Sequence, residues 1–368
     1  MTDKLIWGLI GAAQVGAASQ RRIYRYLEHH QMTLAQGWAN LATWGRVVKL
    51  PADKLARLLA VQKEWPLERW QAYLAKMGWQ ICVLGEANFP RLLAHIPDFP
   101  VVLFYQGQIE VLQGNSLAVV GARRMTHYGR AVIEELLDER LCQVTIVSGL
   151  MTGVDVSAHS RALAIGAPTA AFLGYGLELT WPAGARECRA QILAAGGAII
   201  SEFAPWEAPV ARNFPIRNRL VAGSTCATLV IEAAVRSGSL ITANLAADYG
   251  REVMAVPGSI FNERSVGCLE LIAQGATMVR TSQQIGEVLQ NLGVAVAETG
   301  KEASAGPTKV VIEDEWQKKV LELLQAGPAE TEQLVAALGD QQAVATACTW
   351  LELMGEIVRD EAGRWQAS

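Results

Sequence analysis

Residues 116–173, SLAVVGARRMTHYGRAVIEELLDERLCQVTIVSGLMTGVDVSAHSRALAIGAPTAAFL, decide the fold. Three runs within them, SLAVV (116–120), VTIVS (144–148) and TAAFL (169–173), are short and apolar throughout, and the intervals between are long enough for a crossover helix. Strands with no polar alternation are buried on both faces, as in a parallel sheet. The pattern continues with AIIS (198–201), TLVIE (228–232) and EVMAV (252–256). It predicts a doubly wound α/β domain from about 115 to 290.

Upstream, IYRYLEHH, LARLLAVQKEW and LERWQAYLAKMGW carry apolar positions at three- and four-residue spacing, so residues 1–85 form a helical module. Between its first two helices, AAQVGAAS is a Gly-containing turn. It reads as a structural connector, with a helix-hairpin-helix contact to a DNA backbone as the alternative. The Pro-punctuated, aromatic stretch NFPRLLAHIPDFPVVLFYQG (88–107) is too irregular for a helix and is expected to pack on the next domain. Downstream, residues 291–308 are small and polar and form a linker. Residues 309–368 read as three helices and a two-stranded wing with a DEAG turn, a winged-helix domain.

A chain of 368 residues with 51% hydrophobic residues, 18% charged residues and 13 Pro folds into two to three domains and is neither disordered nor a small secreted scaffold. The net charge of -4 is unevenly spread. Residues 309–368 hold 5 Lys and Arg against 11 Asp and Glu, whereas residues 1–308 hold 27 against 25. The acidic tail therefore fits a protein partner or a structural role better than phosphate contact. In the body, residues 111–133, with Arg123, Arg124 and Arg130, and residues 208–231, with Arg212, Arg217 and Arg219, contain no carboxylate. Brought together, they make a basic stripe.

Cysteines at 82, 142, 188, 226, 268 and 348 include no close pair, which excludes a metal knuckle or redox dithiol and fits a reducing cytoplasm. The start, LIWGLIGAAQVGAAS after Lys4, differs from a signal peptide at Asp3 and Gln14 and is followed by Arg21 and Arg22. No apolar run approaches the roughly 20 residues of a membrane span. A soluble, cytoplasmic protein with no membrane partner is expected.

In an open α/β sheet, ligands bind beyond the carboxyl ends of the strands, where helix N-termini expose unpaired N–H groups. Those ends carry Gly121-Ala122-Arg123, Ser148-Gly149, Gly174-Tyr175-Gly176, Glu232 and Pro257-Gly258-Ser259. Small residues let backbone approach an anion, so their recurrence predicts an anion site as well as tight turns. Neither Gly121 nor Gly174 opens a dinucleotide fingerprint, and there is no P-loop. FPIRNRL (214–220) adds Arg217 and Arg219 around Asn218, whose guanidinium forks match phosphate oxygens. With Arg123 and Arg212 they would line one groove, beside Phe214, Tyr175 or Trp181 as stacking surfaces. The alternative places one of these arginines in the core against Glu202 or Glu232, with the aromatics buried. SGSLITA (237–243) supplies another helix start, with Gly238 and Ser239. Asp155 and His159 share a helix face, but further metal ligands are lacking, so a cap and a local hydrogen bond are expected. Glu232 is the best acid or base candidate. The residues predict no catalytic set, no metal and no cofactor.

The ordered motifs VVGARR, VSGLMTGVDVSAHSRAL, FLGYGLELTWP, GGAIISEF, NFPIRNRLVAG, LVIEAAVRSGSLITANLA, EVMAVPGSI and LIAQGATMV resemble the DNA-processing protein A family, also called DprA or Smf. The resemblance covers about 85 to 290 and is highly specific. It implies an extended Rossmann-like, mostly parallel sheet over 86–290, flanked by a sterile-alpha-motif or helix-hairpin-helix-like module and a winged helix. It also implies a single-stranded DNA-binding homodimer, paired through the Rossmann domain, that protects incoming DNA and loads the RecA recombinase in natural transformation without turnover. The family's Gly-x-Arg falls on Gly121 and Arg123, its Ser-Gly loop on Ser148 and Gly149, and its Arg-Asn-Arg on Arg217, Asn218 and Arg219. Departures are Ala183 after Trp181-Pro182, with Arg186 the nearest cation, and Gly267-Cys268-Leu269 in place of Gly-Thr-Asn, whereas Arg212, two before the Phe-Pro, keeps the family's basic charge there. The rival reading is a nucleotide-processing enzyme or nucleotide sensor of the same Rossmann variant, resembling phosphoribohydrolases and built around Glu232. Their Pro-Gly-Gly-x-Gly-Thr loop is absent here.

Overall fold

Helical periodicity at the amino end produces six helices: α1 (Thr2–Ala12), α2 (Ala17–His30), α3 (Leu34–Ala39), α4 (Leu41–Val47), α5 (Ala52–Glu64) and α6 (Leu67–Met77). The computed structural model describes residues 2–297, 314–325, 327–353, 357–359 and 363–367. It divides into two units, Met1–Lys301 and Glu302–Ser368.

Nine strands form the sheet of the first unit: β1 (Gln80–Val83), β2 (Val102–Gly107), β3 (Ser116–Val120), β4 (Thr145–Ser148), β5 (Thr169–Leu173), β6 (Ala198–Ser201), β7 (Ala227–Val230), β8 (Glu252–Ala255) and β9 (Thr277–Met278). Their order is β1-β2-β6-β5-β4-β3-β7-β8-β9. All seven from β6 to β9 run parallel, whereas β2 pairs antiparallel with β6 and β1 with β2. The helices that cross between them are α7 (His127–Leu136), α8 (Val154–Ala164), α9 (Arg186–Ala194), α10 (Asn213–Gly223), α11 (Gly238–Asp248) and α12 (Val266–Ala273), with α13 (Ser282–Asn291) after β9.

The apolar runs are explained by two covered faces. Leu117 and Val119 pack in one layer with Ile133 of α7 and Val154 of α8. Ala118 and Val120 pack in the other with Leu220 of α10 and Ala243 of α11. From β3 the chain winds outward through β4, β5 and β6, then returns to β7 on the other side of β3 and winds outward again. At that reversal the connections from β3 and β7 leave in opposite directions, and a crevice opens at their carboxyl ends.

The doubly wound α/β sheet is as expected, with differences at its margins. Residues 80–83, which the sequence places in the helical module, form β1, and the Pro-punctuated stretch contains β2. Helix α1 shares a core with this end of the sheet through Ile6, Leu9, Ile10, Ile81, Val102 and Phe104. Its glycines make the approach feasible, since a Cβ on Gly8 would lie 2.3 Å from Ile81 Cδ1.

The second unit holds α14 (Glu315–Gln325), α15 (Thr331–Leu338) and α16 (Gln341–Leu353), with β10 (Ile357–Arg359) antiparallel to β11 (Trp365–Ala367). Val320, Leu334, Val344, Leu351, Ile357 and Trp365 form its core. Residues 298–308 of the expected linker, and 360–362 of the expected wing turn, lie outside the described residues.

A branched side chain at position 8 overfills the contact between α1 and β1, so Gly8→Val is expected to cost about 1–3 kcal/mol in urea denaturation. Gly286 lies within α13, where a Cβ would meet only Val296 at 3.8 Å. Gly286→Ala is expected to add about 0.5–1 kcal/mol in the same measurement.

Candidate functional site

The crevice encloses about 330 Å³ and is lined at the strand ends by Val120, Gly121 and Gly149. Its remaining walls are Arg123 after β3, Met151 ahead of α8 and Asp155 in its first turn, Ala211, Phe214, Pro215, Arg217, Asn218 and Val221 of α10 and its lead-in, and Ser237, Gly238, Ser239 and Thr242 at the start of α11. Two helix N-termini therefore meet there, each adding partial positive charge.

The β4–α8 loop is shaped by tight packing. Gly153, at φ +86°, precedes α8, and a Cβ on it would lie 2.3 Å from the Ala122 carbonyl oxygen. That carbonyl accepts from the Val154 N–H at 3.2 Å, fastening the loop after β3 to α8. Gly149 leaves room for Arg217, whose Nη2 lies 2.4 Å from where a Cβ would stand. The Arg217 guanidinium is buried and its Nη1 donates to the Gly149 carbonyl at 2.7 Å and to the Phe172 carbonyl. Its Nε donates to Asn218 Oδ1 at 3.3 Å, and Asn218 Nδ2 donates to the Gly238 carbonyl at 3.1 Å. Arg217 and Asn218 thus tie the ends of β4 and β5 to the start of α11.

Arg123 is exposed, with its guanidinium 5.4 Å from the centre of the Phe214 ring. Phe214 also meets Trp181 at 5.3 Å and a tilt of 43°. At the start of α11 the Ser237 hydroxyl accepts from the Ser239 N–H at 3.3 Å. The two hydroxyls lie 2.7 Å apart. An exposed cation lies above a ring that is itself buried, over a floor of helix termini and a fixed guanidinium, an arrangement that suits an anion.

Gly121, Arg123, Gly149, Phe214, Arg217, Asn218, Gly238 and Ser239 therefore converge on one crevice, and four other candidates do not. Ser148 is buried and its hydroxyl donates to the Val119 carbonyl at 2.7 Å, so its side chain serves the sheet. Arg219 is buried against Glu202, with Asp98 at 3.6 Å. The expectation that it lines the same groove as Arg217 fails, because residues two apart on a helix project about 200° apart. Arg212 faces a second cavity, and Arg186 is exposed at the start of α9.

Asp155 was expected to cap its helix. Its carboxylate instead accepts from the Met151 N–H at 3.3 Å, ahead of α8, and stands on the crevice wall. Burial raises its pKa, opposed by the charge of Arg217. Burial lowers that of Arg217, opposed by Asp155. His159 is wholly buried, with Nδ1 2.6 Å from Thr169 Oγ1, and burial pushes its pKa down to about 3. Glu232 is also buried and accepts from the Thr126 N–H at 2.9 Å and from its hydroxyl. Among the described residues, no three His, Cys, Asp or Glu side chains group as metal ligands. The part played by Asp155 had no signal in the sequence beyond its place in a first helical turn, because Arg217, whose charge acts on it, is remote in the chain.

Residues 80–290 match the family described as DNA recombination-mediator protein A. The DNA processing protein DprA of Streptococcus pneumoniae is 39% identical over 197 residues, which are 54% of this chain and 70% of that protein. Its X-ray structure superposes with a TM-score of 0.66 at 31% identity, covering 77% of this chain and 97% of that one. DNA processing protein A from Helicobacter pylori, whose structure describes a single-stranded DNA binding mode, gives a TM-score of 0.51 at 27% identity over 58% of this chain and 96% of that one.

Truncating Arg217 strands two buried carbonyls, so Arg217→Ala is expected to cost about 2–4 kcal/mol in urea denaturation. Arg123→Ala should stay within about 0.5 kcal/mol of the parent. Because His159 stays neutral when folded, the unfolded chain alone takes up a proton as pH falls from 6.5 toward about 3. Stability should drop over that window, and His159→Gln should flatten the decline in unfolding midpoint.

Proposed function

Because this chain belongs to the DNA recombination-mediator protein A family, we propose that it binds single-stranded DNA in the crevice between β3 and β7 and delivers that strand to RecA. The observation that carries this reading is the convergence of exposed Arg123, the Phe214 ring and two helix N-termini on one crevice. Phosphates lie along Arg123 and the backbone N–H groups at the strand ends, above the fixed charge of Arg217. Bases lie toward Trp181, whose ring is exposed beside the buried Phe214. Arg212 and Arg186, outside the crevice, extend the positive surface.

The family resemblance supports the remaining elements of the proposal: protection of incoming DNA during natural transformation, a homodimer formed through the Rossmann domain, a winged helix in the acidic tail, and action in the cytoplasm. None of the described helices is long and apolar enough to cross a membrane. Binding without turnover is favoured over nucleotide hydrolysis because Glu232, the acid or base on which that alternative rests, is buried and engaged by Thr126 at both carboxylate oxygens. No cofactor enters the proposal.

Fluorescence anisotropy with a single-stranded oligonucleotide and its duplex at two salt concentrations tests the reading. Preferential single-strand binding that weakens with salt is expected, with Arg123→Ala lowering the log–log salt slope by about 0.7. Equal affinity for both forms, unchanged by Arg123→Ala, would sink the proposal. Release of free base from a nucleoside monophosphate, abolished by Glu232→Gln, would establish the enzyme instead.

A further inference from the structure

A second cavity of about 420 Å³ shares the amino-terminal turn of α10 with the crevice. Ala211 and Pro215 line the crevice, whereas Arg212 and Ile216 line this cavity. Its far wall comes from the helical module: the turn ahead of α2, and Lys54 and Arg57 on α5. Three cations, two on α5 and one ahead of α10, thus face one space. Arg212 has no hydrogen bond or ion pair among the described residues. Lys54 donates to Ser19 Oγ at 3.1 Å, and Arg57 reaches Gln14 Oε1 at 3.3 Å and Asp53 at 3.0 Å.

The wall also carries two acceptors without donors. Gln20 and Glu202 are each more than nine-tenths buried, and the Oε1 atom of each has no hydrogen-bond partner. Glu202 meets Arg219 only through its other oxygen, and neighbouring Glu207 is occupied by Asn213 Nδ2 at 3.1 Å. An adjoining groove of about 470 Å³ shares Gln14 and Arg57 with the cavity and carries Trp65 and Trp206. Their rings lie 6.2 Å apart and within 17° of parallel, both half-buried, with the Arg69 guanidinium 4.7 Å from the centre of the Trp65 ring.

Three cations facing one space suit the phosphates of a nucleotide strand. We propose that this cavity is a second nucleotide subsite, formed jointly by the helical module and the loop before α10, and that it holds the strand where it leaves the crevice. The assignment rests on the crevice being the first subsite. It gives the helical module a direct share in DNA binding.

The test is a Lys54→Ala, Arg57→Ala double variant, whose side chains are half-buried and exposed. An unchanged thermal midpoint serves as the folding control. Anisotropy is read with oligonucleotides of about five and about fifteen nucleotides, spanning the range that single and extended sites occupy. The longer strand should lose about tenfold in affinity, with a salt slope shallower by about 1.4, while the shorter binds as to the parent. Parent-like binding of the longer strand by the variant overturns the second subsite and leaves the crevice standing. A parent protein that binds neither oligonucleotide overturns both. Calorimetry with deoxyadenosine monophosphate separates the sources. Saturable binding that the variant loses, and that the longer strand does not displace, assigns the cavity to a free nucleotide and overturns its place on the strand.

Discussion

Parallel strands cannot be joined by a tight turn, so each connection must cross a face of the sheet as a longer segment. In this protein the winding starts at β3, spreads through β4, β5 and β6, and resumes on the other side from β7. Only at the reversal do adjacent connections separate and leave strand-end backbone without a covering helix. The position of the crevice, the two helix N-termini that open on it and the rarity of bulky residues at its floor all follow from that one change of direction.

Inside the crevice the two arginines divide the work by burial. Arg217 has lost its water and is held by carbonyls of two strands, facing Asp155. Its charge is therefore fixed in place before any ligand arrives, and a fixed charge needs no reorganisation on binding. Arg123 remains in solvent over Phe214, without such anchors. In the proposed reading, the rigid floor sets the path of a strand and the exposed rim meets what lies on it.

The sequence made the central strands readable because each is an apolar run ending in Gly, Ser or Glu. β1 was hidden as four residues behind an amphipathic helix, β2 among prolines, and β9 in being two residues long. Within FPIRNRL, charge and spacing identified two phosphate-type side chains but not that they face opposite ways. That follows only from the segment being helix α10, with Glu202 and Asp98 waiting on one side. Of the second cavity the sequence marks only the AAQVGAAS turn and Arg212, with nothing to bring them together. Its lining comes from segments around residues 15, 55 and 210, and no local pattern announces a meeting of three such distant pieces.

The antiparallel extension of the sheet bears on where this chain can be divided. β1 covers the outer row of N–H and C=O groups on β2, while α1 lies over the apolar residues of both. A fragment beginning at residue 86 would keep every strand of the parallel sheet yet offer an open edge to any passing chain. Such a fragment would tend to template itself into aggregates rather than behave as a smaller binder. The helical module is, in this sense, the hem of the sheet, and the boundary that composition places after it is not one at which the fabric can be cut.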